Sequence, residues 1–370
     1  MVKNFGSKIG NMAEQYFKRW NSSQIFYGGL VLFGLLNLLT AAFMEIHFDE
    51  GYYWLYAQNP AFGYFDHPPL IAWMIRAGQF MFPGELGLRL FTVLMSTASM
   101  LFLWKIARNF TQNALLFWGV AFSTLLIHPY AFIATPDAPL FFSTVLFFYV
   151  FDRYLKTGSN SLGIALGATI ALMFYSKYHG VLVVGFATLA NLKLLGKRSY
   201  WLAALTALVL FIPHIWWQIS HNFPTLQYHL IDSHKTGYNP EVTLNYIVSE
   251  LAVTGPWLGW LFLYAMAKVK AQTPLVRTLK IMGIGTFVFF LISTFGGDFE
   301  AHWTLIAFVP LILLAIEYVE QNPKWKRWVY ISAGVNFMLL LIVRILIISP
   351  LSNDIKALGI IKGWKNDSYE

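Results

Sequence analysis

Two neighbouring carboxylates, Asp49 and Glu50, follow the first long apolar run of a chain in which only 12% of residues are charged. Further on come Asp66-His67-Pro68-Pro69, an aspartate behind Thr135-Pro136 (Asp137), and a lysine in Tyr175-Ser176-Lys177-Tyr178-His179. The segment Gly296-Gly297-Asp298-Phe299-Glu300-Ala301-His302-Trp303 opens directly into another apolar run. A carboxylate at a water–membrane boundary can take a proton from a hydroxyl nucleophile. Lys177, Arg89 and His302 are the cations and donors that would hold an anion. Each has a plainer account. Asp49 and Glu50 complement the start of a helix, Asp137 caps one, and Lys177 snorkels. His221, His229 and His234 fall in the loop 219–245 without HExxH or another zinc spacing, so no metal is expected there.

These groups are interesting because of what separates them. Apolar runs at 25–44, 86–106, 113–131, 137–155, 161–177, 180–195, 200–218, 246–268, 275–296, 301–319 and 328–348 approach the ~20 residues that span a hydrocarbon core. The reading is an all-α polytopic membrane protein of about eleven spans. The first run exceeds a signal-peptide core and has no small-residue cleavage site before Glu45, so it reads as a retained span. Of the 26 basic residues, 18 fall in alternate connections with only four acids. That asymmetry places the N-terminus, and positions such as Lys197, in the cytoplasm. The nine histidines, His229 among them, and most acids then share the outer side. The formal charge of +8 follows from topology and gives no support for nucleic-acid binding. With no cysteine, disulfides and thiolate metal sites are excluded.

Between the first two long runs lies an outer loop of about forty residues, far longer than its neighbours. Residues 49–58 read as an interfacial helix, Gly63-Tyr64-Phe65-Asp66-His67-Pro68-Pro69 as a rigid turn, and 70–82 as a second helix on the membrane. A single transmembrane domain is expected over 1–350, its catalytic loop at about 45–85, with 351–370 a short tail.

Phe48-Asp49-Glu50-Gly51-Tyr52-Tyr53-Trp54 with Gly63-Tyr64-Phe65-Asp66-His67-Pro68-Pro69-Leu70 resembles the first outer loop of polyprenyl-phosphate-sugar glycosyltransferases. These form the protein O-mannosyltransferase and lipid A aminoarabinose transferase group, with the GT-C fold. Leu88-Arg89-Leu90, Thr135-Pro136-Asp137-Ala138-Pro139-Leu140, Tyr175-Ser176-Lys177-Tyr178 and Ala301-His302-Trp303 recur in the group's order, so the resemblance spans roughly 25–320. It implies a sugar carried on a polyprenyl phosphate and moved on the outer face of the plasma (inner) membrane to an envelope lipid, glycan or protein. It also implies Asp49 as the essential carboxylate. Many members of the group carry further spans or a soluble outer domain absent from this sequence, which leaves the acceptor open.

One in-line displacement would invert the anomeric centre, with the polyprenyl phosphate leaving as a stable anion. Asp49 is expected to be the base. Asp137 is a second catalytic candidate, and Glu50, Tyr53, Asp66, His67, Arg89, Lys177 and His302 are expected around the substrates. No cofactor is required, and no motif indicates a divalent metal. The rival is a multispan secondary transporter or envelope flippase. A transporter would bring its charges toward the bilayer midplane near broken helices, whereas here they collect at one face.

Overall fold

The computed structural model describes residues 20–225, 227, 238–297 and 299–349. His229, His234, Asp298 and the tail 351–370 therefore lie outside the described residues. The helices, in chain order, are α1 Ser22–Phe43, α2 Phe48–Gln58, α3 Leu70–Met81, α4 Gly84–Ala107, α5 Ala114–Ser123, α6 Asp137–Thr157 and α7 Asn160–Ser176. They continue as α8 Gly180–Leu189, α9 Arg198–Ser220, α10 Pro240–Val253, α11 Gly259–Lys268, α12 Pro274–Ser293, α13 Phe308–Gln321 and α14 Lys326–Ile348. A 3-10 turn over Ala301–Ala307 leads into α13.

Seven of these stretches are long and apolar enough to cross a bilayer alone: α1, α4, α6, α9, α12, Ala301–Gln321 and Pro323–Ile348. The chain is a multi-pass membrane protein. Three shorter apolar helices, α5, α7 and α8, pack among them. A count of eleven is not established, because two of the expected runs are interrupted. The run 113–131 leaves the helix after Ser123, and 246–268 breaks at Thr254-Gly255-Pro256, where Gly255 takes φ +144°. The breaks satisfy one another. Leu125 and Leu126 donate their amides to the Val253 carbonyl, and Asn336 Nδ2 donates to the Ser123 carbonyl at 3.0 Å. Irregular backbone at membrane depth survives only when buried in protein in this way.

Burial separates the centre of the bundle from its lipid-facing rim. The window through Ala301–Gln321 is 78% buried, against 22% for α9 and 17% for the α14 stretch. Close helix approach relies on small residues. Gly163 and Gly167, four apart on one face of α7, lie where an added Cβ would meet the Ser199 and Ala203 carbonyls of α9 at 2.4 and 2.3 Å. The first long loop forms the expected pair of short helices, α2 and α3. They rest on α4 through a satellite core of Tyr53, Ala57, Tyr64, Ile71, Ala72, Ile75, Leu88 and Ala134.

The two ends of the bundle differ chemically. At one end α4 and α6 finish with Lys105 and Lys156, and Asp152 of α6 accepts hydrogen bonds from Lys156 and Asn109. Lys280 at this end donates to the Ala267 and Val269 carbonyls, and Lys326 pairs with Glu320 at 2.6 Å. The acids Asp49, Glu50, Asp66 and Asp137 sit at the other end, with Lys177 and His302.

Candidate functional site

The site begins at the N-terminus of α2. His47 caps the helix: its Nδ1 accepts from the Asp49 amide at 3.3 Å, and the Glu50 carboxylate accepts from the His47 amide at 2.9 Å. Successive helical residues diverge by about 100°, so Asp49 and Glu50 point apart.

Glu50 turns inward and is fully buried. Its Oε1 accepts from Arg89 Nε at 2.7 Å and from the Ala134 amide at 2.8 Å, and its Oε2 accepts from Arg89 Nη2 at 2.5 Å. Arg89, also fully buried, spends its remaining N–H groups on the carbonyls of Ala41, Met44 and Glu45. This pair stitches α1, α2, α4 and the segment before α6 together. It corrects two expectations. Arg89 has no donor left for a phosphate, and Glu50 has no face toward a substrate.

Asp49 faces outward, with 44% of its side chain exposed and His47 Nδ1 at 3.5 Å from its Oδ2. Partial burial, above all, lifts its carboxyl above the ordinary carboxylate range. The charges of Asp137 and Glu50 push the same way, while those of His47 and Lys177 push back. Asp49, Asp137 and Lys177 thus lie close enough to feel one another's charge.

Asp137, the first residue of α6, is 3% exposed and holds Lys177 through both carboxylate oxygens at 2.9 Å. His302 Nε2 lies 3.7 Å from Asp137 Oδ2. Lys177 reaches this position because α7 ends at Ser176 and the chain turns extended at Lys177, with φ −164° and ψ 145°. Two of its three ammonium protons go to Asp137, which leaves one for a ligand. As a buried ion-paired group, Asp137 is suited to positioning Lys177 and His302 rather than to acting as a free base. This revises its expected catalytic role.

The Asp66-His67 turn closes the other side. Asp66 Oδ1 accepts from the hydroxyls of Tyr56 at 2.8 Å and Tyr52 at 3.1 Å, and His67 Nδ1 lies 3.2 Å from Asp66 Oδ2. Burial opposes ionisation of Asp66, but hydrogen bonding and charge from His67, with the two tyrosine hydroxyls, outweigh it and hold the carboxyl down at about 2. Tyr53 Oη lies 3.5 Å from His67 Nε2, and burial pushes the Tyr53 phenol above its usual value, keeping it a neutral donor. Asp66 thus orders the loop through Tyr52, Tyr56 and His67.

Three residues were not singled out in the sequence. The Tyr130 ring packs against His302, with centroids 5.7 Å apart. His179 packs against Trp303 at 5.8 Å. Glu250, 4% exposed within α10, accepts from Thr304 Oγ1 with 3.0 Å to each oxygen and anchors the 3-10 turn that carries His302. An acid inside an apolar run was the available signal for Glu250. Among the described residues, no group of three or more His, Asp or Glu is placed to hold a metal ion.

With this geometry established, comparison with known proteins is informative. Residues 66–217 match the family of dolichyl-phosphate-mannose-protein mannosyltransferases. Lipid A galacturonosyltransferase RgtD of Rhizobium johnstonii is 27% identical over 303 residues, covering 78% of this chain and 63% of its own length. The crystal structure of ArnT from Cupriavidus metallidurans in the apo state superposes with a TM-score of 0.64 at 17% identity, over 86% of this chain and 63% of that one. The fold is GT-C. The same ArnT bound to undecaprenyl phosphate gives a TM-score of 0.62, also at 17% identity, over 85% of this chain and 63% of that one. The GT-C resemblance read from the first outer loop therefore extends through the bundle. The chain spans about 63% of the length of these relatives.

Proposed function

We propose that the chain is a membrane glycosyltransferase that moves a sugar from a polyprenyl-phosphate donor to an envelope lipid by inverting displacement. The observation that carries this is the pairing of a half-exposed carboxylate, Asp49, with a Lys177–Asp137–His302 cluster at the same end of a GT-C bundle. The relative named as a lipid A galacturonosyltransferase supports a lipid acceptor, and the ArnT complex supports an undecaprenyl-type carrier. Protein and other glycan acceptors are the less favoured readings.

In this mechanism the acceptor oxygen attacks the anomeric carbon from the Asp49 side. Its proton passes to the Asp49 carboxylate as the new carbon–oxygen bond forms. The bond from the anomeric carbon to the carrier phosphate breaks, and its electron pair leaves on the phosphate oxygen. The remaining donor of Lys177, with His302, His67 and the Tyr53 hydroxyl, would receive that charge. The cluster lies at one end of the bundle, the end that also carries Asp49 and Asp66.

The direct test is incubation of purified protein with labelled undecaprenyl-phosphate sugar and a lipid A acceptor. Sugar transfer, or slow donor hydrolysis without acceptor, is the expected result. Absence of both, in protein that binds the donor, would overturn the reading.

The role of Lys177 calls for a paired measurement. Lys177→Ala should weaken donor binding by about 1.5–3 kcal/mol, or roughly 10- to 150-fold, through loss of a charge-assisted bond. It also strands the buried Asp137 charge, so the Lys177→Ala/Asp137→Asn double variant is the cleaner reagent. Unchanged donor affinity in the double variant would assign Lys177 to the ion pair alone.

We further propose that the basic end is cytoplasmic and the Asp49 end periplasmic or extracellular. Because the chain has no cysteine, single cysteines at Lys197 and at exposed Gln58 report on each side. An impermeant thiol reagent on intact cells should label the Gln58 site, once it has access to the outer face, and spare the Lys197 site. The reverse pattern would invert the topology. Gln58 serves here in place of His229.

A further inference from the structure

At the end of the bundle opposite Asp49, the last turns of α4 and α6 enclose an open cleft of about 480 Å³ lined by Lys105, Arg108, Asn109, Gln112, Tyr149 and Arg153. Arg153 lies about 24 Å from Asp137 along α6, by the helix rise, so this cleft is separate from the site above. We propose that it binds a phosphate-bearing anion, presented by a lipid headgroup at the membrane edge or by a soluble phosphate ester.

The placement of the cations carries the proposal. The Arg153 guanidinium stacks on the Tyr149 ring at 3.6 Å from its centroid. Lys105 Nζ sits 5.5 Å from the same ring and 5.0 Å from that of Phe102. One ring therefore holds two cations within about 9 Å of each other. Among the described residues, no carboxylate pairs with Lys105, Arg108 or Arg153. The acid nearest in sequence, Asp152, is occupied by Lys156 at 2.8 Å and by Asn109 Nδ2 at 3.2 Å.

The carbonyl ends of α4 and α6 favour a cation apiece, and positive charge is ordinary at a cytoplasmic helix end. Neither effect requires three cations to converge on one cleft, where they repel. Aromatic faces fix Lys105 and Arg153 without neutralising them or using their N–H donors. An anion between them removes the repulsion and takes up those donors, while Gln112 and Tyr149 offer neutral groups for ester and glycerol oxygens. Phosphate suits such a constellation because its several oxygens accept from planar guanidinium and point-like ammonium groups together.

The test uses the full chain in detergent, with bound lipid counted by native mass spectrometry. The probes are phosphatidylglycerol, phosphatidylcholine and soluble glycerol phosphate. One phosphatidylglycerol should be retained per chain, in preference to phosphatidylcholine, and Lys105→Gln/Arg153→Gln should weaken it at least tenfold. Lys324→Gln/Arg327→Gln removes the same charge elsewhere on that end and should leave retention unchanged. An equal loss in both double variants would reduce the effect to general attraction to anionic lipid and overturn the site. Competition by millimolar glycerol phosphate would support the site with a soluble ester as sufficient ligand, and its absence would support the lipid. Should the Lys105/Arg153 variant fail to fold, Arg108→Gln, on an exposed side chain, replaces it. A severalfold weaker retention supports the site, and none overturns it.

Discussion

Asp49→Asn should lower turnover roughly 10²- to 10⁴-fold, the usual contribution of a positioned general base, while leaving the thermal unfolding temperature close to that of the unaltered protein. The substitution keeps the shape of the side chain and removes its basicity. Because 44% of that side chain is exposed and its neighbours keep their own partners, little packing is lost. The pH profile separates a base from a group that merely orients the acceptor. Burial lifts the Asp49 carboxyl, so the protonated, inactive form persists above the ordinary aspartate value of about 3.9. Activity on a hydroxyl acceptor should therefore fall on the acid side at a higher pH than an unperturbed carboxylate would give, and Asp49→Asn should abolish that limb. A phosphate acceptor is already ionised; with it, the loss should be smaller and the limb weak. If Asp49→Asn keeps most of the turnover under saturating donor while Asp137→Asn loses it, the two aspartates exchange roles.

That Asp49 and Glu50 point apart was legible in the sequence, because successive residues of a helix diverge by about 100°. What each faces was not. The Glu50–Arg89 pair joins residues 39 apart, and nothing local distinguishes Glu50 from Glu85 as the partner. An arginine at the acidic end of a membrane protein looks like an anion ligand until its five donors are accounted for. Lys177 raised the same question and received a mixed answer, since its extended backbone lets it bind Asp137 with one proton to spare. Hydropathy located the apolar mass of the bundle, but it is blind to where backbone leaves the helix. The breaks after Ser123 and at Gly255 compensate each other across more than a hundred residues, through Val253 and Asn336, and no sequence window contains both. The two short helices of the first long loop were legible because an acidic helix start, aromatic content and the Pro68-Pro69 turn coincide within one loop.

Breaking the Glu50–Arg89 pair should have the largest effect on stability. Glu50→Gln keeps the shape but leaves a guanidinium in a fully buried site with no anion, a loss of about 3–5 kcal/mol for a buried pair deprived of one partner. Arg89→Met strands the Glu50 carboxylate in the same way and also frees the carbonyls of Ala41, Met44 and Glu45 at the end of α1. Both single variants should unfold at markedly lower temperature in detergent. Glu50→Gln/Arg89→Met, which strands no charge, should recover part of the loss. Turnover should fall with stability, because the first turn of α2 carries Asp49 and is held to the bundle through Glu50. Donor affinity discriminates this role from phosphate binding. A brace predicts that the folded fraction of each variant binds donor nearly as well as the unaltered protein. A phosphate ligand predicts weakened donor binding at unchanged unfolding temperature. The second pattern for Arg89→Met would place the guanidinium at the donor and leave Glu50 as its orienting partner. The first pattern keeps Arg89 as the tie between the first long loop and the membrane bundle.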